Sequence, residues 1–155
     1  MKKYYYERVW GSIGFIVNLS QMIEYNISNI LSIDEILSTF ENEDSMYSFE
    51  YKRLVESAER WYEFLTKREL GTLEKILKEK EVFEDAVIQE IDFVREERNY
   101  FVHQIFKDDL KTKEFQNNPK QYIPRLQELV GRMNNLNEVL CEIFKKMKKE
   151  INLIY

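Results

Sequence analysis

At 155 residues with a formal net charge of −5, the chain is long enough for one domain with a buried core. It is too acidic to coat nucleic acid nonspecifically, because such binding draws its affinity from neutralised phosphates, although a small local site stays open. A single cysteine, Cys141, excludes an intramolecular disulfide and, with a single histidine, leaves no Cys/His set for a structural zinc. Two prolines and four glycines among abundant Glu, Lys, Leu and Ile favour helix throughout, so the predicted fold class is all-α. Ten Tyr, ten Phe and two Trp exceed what a helical spacer needs and predict exposed contact surface as well as core, with Trp10 and Trp61 as core or interface anchors.

From Tyr5 to about Leu31 the residues Val9, Ile13, Ile16, Leu19, Ile23, Ile27 and Ile30 recur at steps of three and four, which predicts an amphipathic helix. Its apolar stretch Ile13 to Leu19 is followed at once by Ser20 and Gln21, too soon for a secretory core or a membrane span, so a soluble cytoplasmic protein is expected. Ser32 followed by Glu35 has the form of a capping box and predicts a short helix from Ile33 to Phe40, with Glu41 to Ser45 as a loop.

A further helix fits Met46 to about Lys67, with Tyr47, Tyr51, Leu54, Ala58, Trp61, Tyr62 and Leu65 along one side. Leu70-Gly71-Thr72-Leu73 interrupts the pattern, with Gly71 as a stop and Thr72 as a cap for a short helix carrying Leu73, Ile76 and Leu77. A long helix is predicted over about Val82 to Phe106, its buried stripe being Phe83, Val87, Ile91, Val94, Phe101 or Val102, and Ile105. Residues 107–122 are polar, contain Asn117-Asn118-Pro119, and read as an exposed connection. The last helix starts near Pro124 with a heptad-like seam of Leu126, Leu129, Met133, Leu136, Leu140, Ile143, Met147 and Ile151, suited to packing within a bundle or against another chain. Cys141 on that seam should be buried and inert, and the basic run Lys145 to Lys149 should complement a helix dipole.

The candidate site is the hexapeptide Arg98-Asn99-Tyr100-Phe101-Val102-His103, which ends on the one histidine of the chain. Histidine is the usual carrier of general acid and base work near neutral pH. Arg98 falls on the apolar stripe of its helix between Val94 and Phe101, where a buried, unpaired guanidinium is costly, so it should meet an anion, a partner or a wet cleft. On an ideal α-helix, positions five apart differ by about 140° in direction, so Arg98 and His103 cannot form a tight pair through spacing alone, whereas Asn99 and His103 share a face. Two copies meeting about a twofold axis could pool two histidines and two arginines in one cleft. Cleavage of RNA through its own 2′-hydroxyl needs a base, an acid and positive charge for the crowded phosphorus, a set that two chains supply without cofactor or metal.

Arg98, Asn99 and His103 near the end of a long helix in an all-helical chain resemble the Arg-Asn-x3-His motif of the HEPN superfamily, many of whose members are metal-independent endoribonucleases of toxin-antitoxin, anti-phage and RNA-processing systems. The upstream Leu70-Gly71-Thr72-Leu73 also resembles a bacterial subset, so the likeness covers roughly residues 69–106. It implies a HEPN-like bundle dimerising through the motif helix and an RNA substrate. Arg98, Asn99 and His103 would be catalytic, and Tyr100 could stack on a base. A toxin subset carries tyrosine two residues after the histidine, where an adenylylating antitoxin acts. Ile105 stands there in this chain, so that partner is not implied, while another antitoxin or regulatory protein is.

The alternative is a catalytically silent HEPN-like dimerisation or binding module that engages a partner protein or nucleotide. In it Arg98 would pair with a carboxylate such as Glu97 or Glu90 of a neighbour, and His103 would be a hydrogen-bonded residue beside the long connection. Other chemistries lack their motifs: the chain has no Gly-rich phosphate loop and no Gly-x-Ser-x-Gly elbow. The acidic pairs Glu96-Glu97 and Asp108-Asp109 that bracket the motif read as solvated faces.

Overall fold

The computed structural model describes residues 1–42, 48–107 and 109–154. It is all-helical, with six α-helices in the order α1 (Lys2–Asn42), α2 (Ser48–Leu65), α3 (Leu70–Lys80), α4 (Asp85–Asn99), α5 (Asp109–Asn117) and α6 (Ile123–Ile154). A π-type turn, Tyr100–Gln104, extends α4, and a 3₁₀ turn, Pro119–Tyr122, leads into α6. No described helix is long and apolar enough to cross a membrane.

The spine is α1, about 60 Å of continuous helix at 1.5 Å per residue, packed most extensively against α6 and then against α2. Its predicted stripe from Val9 to Ile30 is buried throughout and meets Leu126, Leu129, Met133, Leu136 and Leu140 of the α6 seam, with Ile143 and Met147 half-buried beyond them. The seam is therefore spent inside the chain. Cys141 is half-buried there, its Sγ 3.5 Å from the Asn26 side-chain amide, which also donates to Asn137 at 2.6 Å.

The break predicted at Ser32 does not occur, because α1 runs through it to Asn42. The Ser32 hydroxyl donates 2.7 Å back to the Ser28 carbonyl rather than forward to a new helix start, and Ser28 and Ser20 do the same to Glu24 and Ile16. A hydroxyl satisfied by the preceding turn stays in a helix interior without opening it. Glu35 bonds Lys80 of α3 at 2.5 Å instead of closing a capping box. Of the loop predicted over Glu41–Ser45, the first two residues belong to α1 and the rest lie outside the described residues, as do Tyr47 and the side chains of Tyr51 and Leu54. In α2 the remaining stripe holds: Ala58 and Leu65 are buried, Trp61 and Tyr62 half-buried.

Two further boundaries differ. Helix α3 starts at Leu70 rather than after Thr72, with extended backbone at Glu69; Gly71 lies inside the first turn, and the cap comes from another helix, as described below. The predicted exposed connection over about 107–122 is polar on its outer side but largely helical, and Phe115 and Tyr122 are buried at 2% and 6% exposure. Phe115 stands edge-on to Tyr6, at 5.5 Å and 76°, and the Tyr6 hydroxyl donates to the Gln116 carbonyl. Those apolar anchors, two aromatics in a polar run, give α5 and the 3₁₀ turn a core to fold against.

Between α3 and α4 the carboxylate of Glu74, only 4% exposed at its side chain, accepts from Lys78 at 2.5 Å and from Arg95 at 2.7 Å. A charge that deep is tolerable because it is paired twice, and it fixes α3 on the helix that carries the motif.

Phe115→Ala should cost about 3–5 kcal/mol by urea unfolding, as for other buried aromatics. A loss below about 1 kcal/mol would mean that residues 107–122 do not contribute to the core.

Candidate functional site

The motif sits where α4 changes its winding. The α-helix ends at Asn99, and across the next five residues the backbone closes a wider ring, the amide of Ile105 reaching the carbonyl of Tyr100 at 3.0 Å. An inserted residue of this kind is rare and is found mostly at functional positions. It also changes the geometry expected from a plain helix. A wider turn brings residues five apart closer to one face, so the angular gap that an α-helix would leave between Arg98 and His103 narrows. The anchors Ile91, Val94, Phe101 and Ile105 remain fully buried on either side.

Arg98 lies half-buried on the core-facing stripe, as its spacing requires. One guanidinium nitrogen donates 3.1 Å to the Asn99 side-chain oxygen, and Nε is buried with no hydrogen-bond partner among the described residues. Glu24 of α1, whose Oε1 accepts the backbone amide of Leu70 at 3.1 Å, feels the charge of Arg98 without forming an ion pair with it. Burial pushes the Glu24 carboxyl above its ordinary range, opposed by the Leu70 amide and then by the positive charge of Arg98. Neither Glu97 nor Glu90 pairs with Arg98. Glu97 takes a two-pronged bond from Arg125 at 2.7 and 2.6 Å, and Glu90 an equivalent one from Arg132. Glu97 is thus an engaged residue and not part of a solvated acidic pair.

The structure brings Arg98 and Asn99 together and leaves His103 apart from both. His103 is exposed on the π-type turn and makes no hydrogen bond or ion pair among the described residues. Tyr100 is half-buried, with the Arg125 guanidinium 4.2 Å above its ring and its edge toward Phe101 at 5.1 Å. Among the described residues no group of three or more His, Cys, Asp or Glu side chains is placed to hold a metal ion.

The sequence pattern missed Glu24 and Arg125. Arg125 contacts Tyr100 and bonds Glu97 from α6, and Glu24 acts on Arg98 electrostatically from α1, 74 positions earlier; one sequence carries no local signal for such partners. Comparison of the chain with protein-family models, curated proteins and solved structures gave no match.

The Glu24 shift has a defined sign. A carboxyl whose folded pKa is raised holds its proton more tightly folded than unfolded, so its contribution to stability falls as pH rises from about 4.5 through the folded value. Glu24→Gln should remove that fall, and Arg98→Ala should extend it to higher pH by taking away the opposing cation. Urea midpoints across a pH series check this; three parallel curves would refute the assigned contact.

Proposed function

We propose that this chain is a HEPN-type endoribonuclease, acting as a homodimer in which the motif segments of two copies share one cleft. The observation that carries the reading is the coincidence, within the seven residues 98–104, of a π-type turn, a half-buried arginine and an exposed histidine that has no hydrogen-bond or ion-pair partner among the described residues. Arg98 is bonded to Asn99 through one guanidinium nitrogen, and its half-buried guanidinium supplies the positive charge for a phosphate oxygen.

In the proposed reaction, His103 of one copy takes the proton of the 2′-hydroxyl as that oxygen attacks the adjacent phosphorus. His103 of the other copy gives a proton to the departing 5′-oxygen, and the products are a 2′,3′-cyclic phosphate and a 5′-hydroxyl. Arg98 stabilises the charge that gathers on the phosphorane, and Asn99 orients it. The role that fits is a cytoplasmic toxin or anti-phage effector restrained by an antitoxin or other regulatory protein.

A second reading, a silent binding module, is supported by the outer face of α1. Tyr4, Phe15, Met22 and Tyr25 are between 44% and 58% exposed there, and with Gly11 and Asn18 they repeat at steps of three, four and seven, the spacing of a helix-pairing seam.

Expression of the wild-type chain should arrest growth and fragment cellular RNA, and His103→Ala at matched soluble levels should abolish both. Arg98→Ala should reduce cleavage by about a hundredfold or more, as for loss of a donor to a developing oxyanion. Harmless behaviour of wild type and variant alike would favour the binding module.

A further inference from the structure

Next to His103 the protein exposes an aromatic pair that its own core does not use. The rings of Trp10 and Phe106 stack at 4.9 Å with 7° between their planes, and they are 51% and 38% exposed. Phe115, itself buried, meets both edge-on at 6.3 and 5.5 Å, so the pair is held rigid from below. Phe106 follows His103 by three residues in the turn that leaves the π-type segment, and both side chains are exposed.

The charge around this pair differs in sign from the chain as a whole. Residues 1–8 carry three cations and one carboxylate, and residues 98–125 carry six and three, in a chain whose net charge is −5. The two segments meet at one end of the molecule: Tyr6 bonds the Gln116 carbonyl, Lys120 lies 5.7 Å from the Tyr5 ring, and Trp10 stacks on Phe106. The acidic excess therefore resides outside these two segments, although Arg125 is spent on Glu97.

We propose that the Trp10–Phe106 pair is the base-stacking platform of the site, and that it selects RNA with an unpaired base beside the scissile phosphate. An unpaired base laid on the outer face of the pair adds a third ring to an existing stack, a contact tolerant of base identity. Its neighbouring phosphate then falls within about one nucleotide of His103, in the field of Lys107 and Arg98. Paired bases keep their faces covered, so a duplex gains only the electrostatic part. The catalytic consequence rests on the nuclease reading above, whereas the RNA-binding surface does not.

The test separates the two. In a Trp61→Phe background, so that Trp10 is the one indole, a 2′-O-methylated 12-nucleotide oligoadenylate serves as an uncleavable probe. Binding should quench Trp10 fluorescence. Trp10→Leu, read by polarisation of a labelled probe, should weaken the Kd about tenfold or more, Trp10→Tyr should restore most of the affinity, and Val139→Ala, at an exposed apolar position of α6, should bind as tightly as the parent. Annealing the probe to its complement should cost a similar factor. Equal affinity for the parent and Trp10→Leu, or no binding by the parent, overturns the platform. So does loss of a dimer in Trp10→Leu with RNA affinity unchanged, which would assign the patch to a second copy. Trp10-dependent binding without any His103-dependent cleavage of cellular RNA keeps the platform and removes the nuclease.

Discussion

One carboxylate ties the motif to the rest of the molecule. Glu24 lies midway along α1, where it accepts the first amide of α3 through Leu70 and lies within the electrostatic reach of Arg98 at the end of α4. Helix starts leave backbone amides unsatisfied; Glu24 satisfies one of them and adds a negative charge on the side of α1 toward Arg98. Because α1 is also the helix most extensively packed against α6 and α2, the position of Arg98 follows from the packing of the long helices. Glu74 does the same work one layer out, through Lys78 and Arg95.

With that frame fixed, the motif segment is anchored by Phe101 and Ile105, both fully buried. The π-type turn between them spaces these two anchors around an extra residue and turns His103 outward. An exposed imidazole contributes little to folding, and this one has no partner among the described residues. The chain thus holds its arginine by burial and presents its histidine to solvent, a division suited to a cleft completed by something other than the same chain.

Apolar periodicity made the long elements legible: the α1 and α6 stripes are buried where the steps of three and four put them. Local capping rules were less informative, because tertiary partners took over the groups they concern. Ser32 looked like a cap, but its hydroxyl is satisfied by Ser28; Thr72 looked like a cap, but Glu24 reaches the start of α3 from a distant part of the chain. The polar run after the motif concealed α5 because two buried aromatics suffice to anchor it. The motif residues could be picked out by type and spacing, but the winding that relates them could not, since a π-type turn has no composition of its own.

Net charge illustrates the same limit at a larger scale. An overall value of −5 argues against general nucleic-acid coating, yet binding energy is set by the potential within about a Debye length of the contact, roughly 8–10 Å. The segments that meet at that end of the molecule, residues 1–8 and 98–125, carry more cations than carboxylates. The acidic remainder of the chain then works in favour of selectivity. On the proposed reading it would oppose long tracts of phosphate lying across the whole protein, while the stacked Trp10–Phe106 pair would add what charge alone cannot, a requirement for a free base face.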